Sequence, residues 1–186
     1  MLEIEVKIKV NLKETELKLE SFGFLKGTSV YEKDTYFNGK LQDLKKADKA
    51  LRIREHKDLD TGHIKYVLNY KGPKLDDITM TREESQFEVP SFEVGKTVLN
   101  GLGYFEAGGV EKHRIHYKKD GITCCLDTVT NLGEFLEIEI MSGKEDYDAS
   151  IGRIRSLLGD LGLDMSMTIR HSYLSMLENA KITIKA

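Results

Sequence analysis

The protein has 186 residues, of which 40% are hydrophobic and 32% are charged, and its formal net charge is −3. This length fits one domain, expected over residues 1–186, and the charged fraction exceeds the average of about 25% for globular domains. The acidic balance argues against nucleic acid as a general partner, because such binding needs a basic surface.

The chain contains no apolar run near the roughly 18 residues that a membrane span needs. It starts directly with a strand pattern and has no signal peptide before it, so we expect a cytoplasmic protein without membrane contact. Cys124 and Cys125 are adjacent in a strand-like run, which fits neither a disulfide framework nor a zinc site.

The first predicted strand, residues 2–10, alternates without a break between apolar and charged side chains. One face carries Leu2, Ile4, Val6, Ile8 and Val10, and the other carries Glu3, Glu5, Lys7 and Lys9. Two carboxylates at i and i+2 on one face repel each other unless a cation lies between them, and hard divalent metals take carboxylate oxygens. The alternative, for this strand taken alone, is a charged face in contact with water.

The rest of the chain predicts seven more strands and four helices. The strands are expected over Val30–Phe37, Ala50–Glu55, His63–Lys71, Met80–Val89, Glu111–Tyr117, Ile122–Asp127 and Glu134–Met141. The helices are expected over Leu12–Phe22, from a Ser91 cap through Leu102, over Tyr147–Leu161 and over Ile169–Asn179. A short terminal strand is expected over Lys181–Lys185.

These elements predict a mainly β (α+β) fold: an eight-stranded antiparallel meander closed into a barrel, with helices packed outside. If it closes, the first and last strands become neighbours. Acidic residues then gather on one wall, and they are Glu3, Glu5, Asp127, Glu137 and Glu139. Basic residues gather on the facing walls, and they are Arg52, Arg54, Lys71, Arg82, Lys112 and Arg114.

Segregated charge of this kind suits a polyanion held together with a divalent metal, Mg²⁺ or Mn²⁺. The metal binds carboxylates and phosphate oxygens, and arginine and lysine bind the remaining phosphate oxygens through charge-assisted hydrogen bonds. A charged barrel interior is costly, which favours a functional reason for it over a solvated face.

The motifs resemble those of the CYTH superfamily, the triphosphate tunnel metalloenzymes. Glu3-Ile4-Glu5-Val6-Lys7 is similar to its ExExK signature. In the family's order follow Leu51-Arg52-Ile53-Arg54, Tyr70-Lys71-Gly72-Pro73, Arg82-Glu83-Glu84, Lys112-His113-Arg114, Leu126-Asp127 and residues 132–139. Asp34-Thr35-Tyr36, Asn131 to Phe135 and Ser172-Tyr173 look closest to the class IV adenylyl cyclases.

The resemblance implies a tunnel that binds a triphosphate with Mg²⁺ or Mn²⁺, and it assigns residues to roles. The implied metal ligands are Glu3, Glu5, Asp127, Glu137 and Glu139. The implied phosphate ligands are Lys7, Arg52, Arg54, Lys71, Arg82, Lys112 and Arg114. Lys7, Lys71 and Tyr36 are the catalytic candidates, although Tyr36 could equally pack as a core residue, and a C-terminal phosphate ligand is Arg170 or His171.

Three functions fit these residues. The first is an adenylyl cyclase that converts ATP to cyclic AMP and pyrophosphate, and the second is a hydrolase of inorganic or thiamine triphosphate. The third is a non-catalytic binder of polyphosphate or nucleotide. The tunnel residues are common to all three functions. The sequence also leaves open whether the chain forms a homodimer.

Overall fold

The computed structural model describes residues 2–185, with side chains described up to residue 180. The strands of this part are β1 Leu2–Lys9, β2 Leu25–Gly39, β3 Ala50–Asp58, β4 Ile64–Lys71, β5 Arg82–Val89, β6 Tyr104–Lys119, β7 Ile122–Val129 and β8 Gly133–Ser142. The helices are α1 Leu12–Ser21, α2 Phe92–Gly101, α3 Tyr147–Leu161 and α4 Tyr173–Lys185, with a 3₁₀ turn at Met165–Met167.

All eight strands pair antiparallel and close into one barrel in the order β1-β5-β4-β3-β2-β6-β7-β8. The first and last strands pair over their whole length, from Leu2 opposite Ser142 to Lys9 opposite Phe135. This confirms the predicted closed barrel. The order is not one continuous meander, because β1 lies beside β5 and β2 lies beside β6. Helix α1 accounts for the difference, since it crosses over β7 and β8 and carries the chain away from β1 before β2 begins.

The apolar strand faces point outward and the charged faces point into the barrel. On β1, Ile4, Val6 and Ile8 are buried in a core that also contains Leu19 of α1 and Leu158 of α3. Burying this layer removes apolar surface from water at about 25 cal/mol per Å². The hydrophobic core therefore lies between barrel and helices, and the barrel's interior is left for charged groups.

β2 and β6 exceed their predicted lengths the most, while β3, β7 and β8 exceed theirs by two or three residues. β2 and β6 extend past the expected segments and pair with each other from Leu25 to Gly39, with register shifts near Lys26 and Tyr36. Such irregularities break the strict period of two from which strands are read. They explain why the alternation marks the middle of each strand and misses its ends.

The C-terminal segment differs from the prediction at both ends. Residues 169–172 are not helical, because the Ile169 amide donates to the Lys7 carbonyl at 2.7 Å and holds the chain against β1. The helix begins at Tyr173 and runs through Lys185, so the predicted terminal strand over Lys181–Lys185 is wrong. Extending a helix adds one hydrogen bond for each residue, whereas a strand needs a free sheet edge to pair with.

None of the helices in residues 2–185 is long and apolar enough to cross a bilayer.

Gly95 on α2 provides a test of how closely the helices pack on the barrel. A Cβ at Gly95 would lie 2.8 Å from Ile53 Cδ1, whereas a Cβ at Gly152 on α3 would meet no atom within 4 Å. Replacing a helical glycine with alanine gains about 1 kcal/mol of helix propensity. We expect Gly152→Ala to raise the melting temperature and Gly95→Ala to lower it. Equal stabilisation by both substitutions, measured by circular dichroism, would contradict this packing.

Candidate functional site: a charged tunnel

The barrel encloses a cavity of about 640 Å³ that is lined by charged side chains of both signs. Of the thirteen residues that the sequence analysis assigned to the site, twelve line this cavity. They are Glu3, Glu5, Lys7, Tyr36, Arg52, Arg54, Lys71, Arg82, Lys112, Arg114, Glu137 and Glu139. The thirteenth, Asp127, lies behind the wall with no exposed surface.

Glutamates crowd together where β1 meets β8. Glu5 is directly opposite Glu139 in the register, and Glu3 lies one step along the same inner face. Burial raises the pKa of Glu139 to about 8, and the charges of Glu3, Glu137 and Glu5 add to this increase. The pKa values of Glu3 and Glu5 are also raised, chiefly by burial. Glu3, Glu5 and Glu139, here called the carboxylate wall, therefore lack sufficient compensating positive charge.

Glu137 differs from its neighbours because two cations reach it. The Lys7 Nζ lies 3.1 Å from Glu137 Oε1, and the Arg114 guanidinium donates to the other carboxylate oxygen. Burial alone would raise the pKa of Glu137, but Lys7 and Arg114 hold it well below its ordinary value. Lys7 also lies 3.7 Å from Glu5 and 4.2 Å from the centre of the Tyr173 ring.

Lys71 supplies positive charge at the other edge of the carboxylate wall. Its Nζ is 2.7 Å from Glu3 Oε2, 3.2 Å from Glu84 Oε2 and 3.9 Å from Glu5 Oε2. Burial disfavours the charged amine, but these three carboxylates together raise its pKa above the ordinary value. Lys71 therefore stays protonated at neutral pH beside the candidate metal ligands.

The two arginines of β3 are held by acidic residues that the sequence analysis did not assign to the site. Asp34 accepts from Arg54 Nε at 2.7 Å and Nη2 at 2.8 Å, and from Arg52 Nη1 at 3.2 Å. Glu32 accepts from Arg54 Nη1 at 3.0 Å and lies 3.1 Å from Lys112 Nζ. Glu32 and Asp34 are an i, i+2 acidic pair within β2, so the signal that identified Glu3 and Glu5 was also present here.

Two more inner-face residues were missed, Asn69 and Glu84. The Asn69 Nδ2 donates to Glu84, and the Asn69 Oδ1 has no hydrogen-bond partner among the described residues. Burial opposes ionisation of Glu84, but a hydrogen bond from Glu3 and the charges of Lys71 and Arg52 lower its pKa to about 2. A single Asn between Val67 and Lys71 carries no pattern that the sequence could reveal.

Asp127 supports Arg114 and makes no contact with the cavity. Its two oxygens accept from Arg114 Nε and Nη2, both at 2.6 Å, and Oδ2 also accepts from the Tyr173 hydroxyl at 2.9 Å. A bidentate pair of this kind fixes the guanidinium plane. The sequence analysis grouped Asp127 with the metal ligands, and in this structure both of its oxygens accept hydrogen bonds from Arg114.

The Arg82 guanidinium donates hydrogen bonds to two neighbouring loops. Its Nη1 donates to the carbonyls of Asp48 and Gly72, and its Nη2 lies 2.9 Å from Asp48 Oδ1. It therefore joins the loops that precede β3 and follow β4.

Tyr36 contacts the site through its hydroxyl, which accepts a hydrogen bond from Arg52 Nη1 at 3.4 Å. Arg170 and His171 both line the cavity.

The carboxylate wall fits a hard divalent cation by its chemistry. Its donors are carboxylate oxygens, which Mg²⁺ and Mn²⁺ prefer, and its raised pKa values mark uncompensated negative charge. In the described part of the chain, no three His, Cys, Asp or Glu side chains already converge as a metal-binding group. The assignment of Glu3, Glu5 and Glu139 as metal ligands therefore stays a prediction that rests on the chemistry of their oxygens.

Comparison with protein families matches the CYTH domain to residues 1–173. The chain belongs to the CYTH family. A Methanocaldococcus jannaschii protein named as a putative adenylate cyclase is 34% identical to this CYTH protein over 180 residues, which cover 95% of this chain and 98% of the relative.

Two solved structures show the same fold. A Pyrococcus horikoshii protein superposes with a TM-score of 0.86 at 32% identity, over 96% of this chain and 99% of the other. A Hippeastrum protein, whose structure is described as a putative adenylyl cyclase with a dominant triphosphatase activity, superposes with a TM-score of 0.67 at 18% identity. That match covers 96% of this chain and 95% of the other.

Glu139 should make the stability of the metal-free protein depend on pH. Its pKa rises from 4.5 to about 8 on folding, so the folded state keeps a proton that the unfolded chain releases. The contribution of protonated Glu139 to the free energy of unfolding is therefore fully present below pH 4.5. It is lost as the pH rises towards 8. With metal chelated, we expect the melting temperature to fall as pH rises from 4.5 to about 8, and Glu139→Gln to reduce that fall.

Glu83→Gln is the matched control, because Glu83 is exposed on the outside of the barrel. The same pH dependence in wild type, Glu139→Gln and Glu83→Gln would show that Glu139 does not carry a raised pKa.

Proposed function

We propose that this CYTH protein is a metal-dependent adenylyl cyclase that converts ATP to cyclic AMP and pyrophosphate. The observation that carries the proposal is the arrangement of charge in one cavity. Glu3, Glu5 and Glu139 form an under-neutralised carboxylate wall, and Arg52, Arg54, Lys71, Lys112 and Arg114 surround the rest of the cavity together with Lys7. A triphosphate with a divalent metal satisfies both groups at once.

Glu3, Glu5, Glu137 and Glu139 would hold the metal. A bound Mg²⁺ or Mn²⁺ would neutralise charge on the phosphates and make the attacking hydroxyl more acidic. Glu137 is the carboxylate most firmly ionised among them, because Lys7 and Arg114 stabilise its charge. Asp127, placed behind Arg114, would fix the guanidinium that contacts the phosphates.

The reaction exchanges one phosphorus–oxygen bond for another. The ribose 3′-hydroxyl releases its proton to solvent and its oxygen bonds to the α-phosphorus. The bond from that phosphorus to the bridging oxygen breaks, and pyrophosphate leaves with the bonding electrons. Charge grows on the departing pyrophosphate, and preorganised cations stabilise such charge. Lys7 and Lys71 would supply that stabilisation. Lys7 is buried and Lys71 is partly buried, and neighbouring carboxylates raise the pKa of both amines.

The cavity also has an apolar side that an inorganic substrate would not need. Tyr36, Leu44 and Leu174 line the same cavity as the charged residues. Small-molecule sites pair apolar and aromatic lining with a few convergent polar groups. This lining favours a triphosphate with an organic part, and it supports a nucleotide over inorganic triphosphate.

Hydrolysis of a triphosphate is the second candidate. The Hippeastrum structure shares the barrel and carries a description of dominant triphosphatase activity. Water would then replace the ribose hydroxyl as the attacking group, and orthophosphate would be released. The same metal and phosphate ligands would serve both reactions, so only the products separate them.

Product identification tests the proposal directly. The protein is incubated with ATP, inorganic triphosphate and thiamine triphosphate, with Mg²⁺ and with Mn²⁺, and the products are separated by chromatography. Cyclic AMP and pyrophosphate from ATP, without orthophosphate, would support the cyclase. Orthophosphate without cyclic AMP would establish the hydrolase, and tight binding without turnover would leave a nucleotide-binding protein.

Lys7→Met should lower turnover, and Lys9→Met should not. Both lysines come from β1, but Lys7 is buried against Glu137 and Lys9 is exposed at the strand end. Loss of one preorganised donor to the transition state costs on the order of 100-fold in kcat. Equal activity of the two variants, each with a normal melting curve, would place Lys7 outside the reaction.

A further inference from the structure

The strand β5 is joined to β1 over a short length only. It pairs with β1 at Arg82 and Glu83, whereas it pairs with β4 from Glu84 to Val89. Beyond Glu3, the edge of β1 bonds to other segments, since the Met80 amide donates to the Glu5 carbonyl at 2.9 Å. Most of β5 therefore has a strand neighbour on one side and a free edge on the other.

This free edge presents the backbone groups of Gln86 and Glu88. The Gly72 amide donates to the Glu83 carbonyl at 2.9 Å, so Glu83 and every second residue after it bond to β4, because the bonding direction alternates along an antiparallel strand. Gln86 and Glu88 therefore point their N–H and C=O groups away from β4. In the described part of the chain, no strand or loop bonds to these groups, and residues 85–88 are all exposed.

An aromatic side chain lies at the centre of the free edge. Phe87 is 62% exposed. It lies on the outer face of β5 together with Val89, whose Cγ2 would be 3.5 Å from a Cβ at Gly95 of α2. Folded proteins usually cover or block an unpaired strand edge, because it is a template for pairing with another strand. An exposed phenylalanine between the free backbone groups makes this edge suited to pairing.

Two copies of this edge complement each other when a two-fold axis passes through Phe87. The axis makes the two strands antiparallel and places Phe87 opposite the partner subunit's Phe87. Gln86 then lies opposite the partner subunit's Glu88, and the two residues exchange both of their backbone hydrogen bonds. Every backbone group that is free at Gln86 and Glu88 is satisfied, and the Gln86 amide faces a carboxylate that can accept from it.

The neighbouring registers are worse. An axis at Gln86 would put Glu84 opposite the partner subunit's Glu88, and like charges directly opposite each other are destabilising. An axis at Glu88 would put two Glu88 carboxylates opposite each other and would pair Gln86 with Pro90, which has no N–H. An axis nearer the start of β5 would need the part of the edge that β1 already occupies. Charge and hydrogen bonding therefore select the axis at Phe87.

We propose that this CYTH protein forms a symmetric dimer in which β5 pairs with β5 of a second copy, centred on Phe87. The sheet then continues from one barrel into the other. The shared edge is short, and small interfaces are typical of transient complexes, so the dimer dissociates on dilution. The proposal is independent of the reaction that the tunnel catalyses.

A charge exchange between two nearly isosteric side chains tests the dimer and its register. Sedimentation velocity over a range of protein concentrations should show a monomer–dimer equilibrium for the wild type. Gln86→Glu places a carboxylate opposite the partner subunit's Glu88 on both sides of the axis, and we expect dimerisation about tenfold weaker. The double variant Gln86→Glu with Glu88→Gln restores one carboxylate opposite one amide, and it should dimerise as the wild type does.

Gln42→Glu is the matched control, because it makes the same change at an exposed glutamine in the loop between β2 and β3. It should leave dimerisation unchanged. A wild type that stays monomeric at every concentration would overturn the dimer. Equal dimerisation of Gln86→Glu and Gln42→Glu, both with normal melting curves, would move the interface away from β5. Failure of the double variant to recover dimerisation would overturn the register.

Amide hydrogen exchange of the unmodified protein provides a second measurement. The amides of Gln86 and Glu88 should exchange more slowly as the protein concentration rises, because they become bonded only in the dimer. The Phe87 amide, which is bonded to β4 in the monomer, should change little. Exchange at Gln86 and Glu88 that is independent of concentration would contradict pairing through this edge, even if a dimer forms elsewhere.

Discussion

The structure depends on placing many charged side chains inside a closed barrel. Burying an isolated ion costs several kcal/mol, so the interior is tolerable only when opposite charges meet across it. The strand order provides for this, since the acids of β2 face the arginines of β3 and the glutamates of β8 face Lys7 and Arg114. The balance fails at Glu3, Glu5 and Glu139, whose carboxyl pKa values are raised. That residual negative charge is the feature that a divalent metal would remove.

The outward apolar core makes this interior possible. Ile4, Val6 and Ile138 pack beneath α1 and α3, so the helices stabilise the barrel from outside and leave its axis open. A conventional small barrel fills its interior with side chains. Here the hydrophobic free energy comes from the outer layer, and the cavity of about 640 Å³ remains available for a ligand.

The sequence predicts the inner face because strand periodicity is strict in the middle of each strand. The i, i+2 pairs Glu3 with Glu5, Arg52 with Arg54 and Glu137 with Glu139 are visible without any structure, and the structure brings all six residues to one cavity. The family resemblance added the roles of these residues. Ion pairs between side chains of different strands could not be predicted, because local alternation does not say which strands are neighbours. The pairs of Asp34 with Arg54 and of Asp127 with Arg114 are examples. The placement of β2 beside β6 depends on the path of α1, which a local pattern does not encode.

The central claim is that the carboxylate wall binds a divalent metal together with a triphosphate. Electron paramagnetic resonance of Mn²⁺ measures this directly, because bound Mn²⁺ loses the sharp signal of the free ion. With inorganic triphosphate present, we expect the wild type to bind Mn²⁺ and the double variant Glu137→Gln with Glu139→Gln to leave it free, although both remain folded. Equal Mn²⁺ binding by the wild type and the folded double variant would contradict the account and would place the metal away from the junction of β1 and β8.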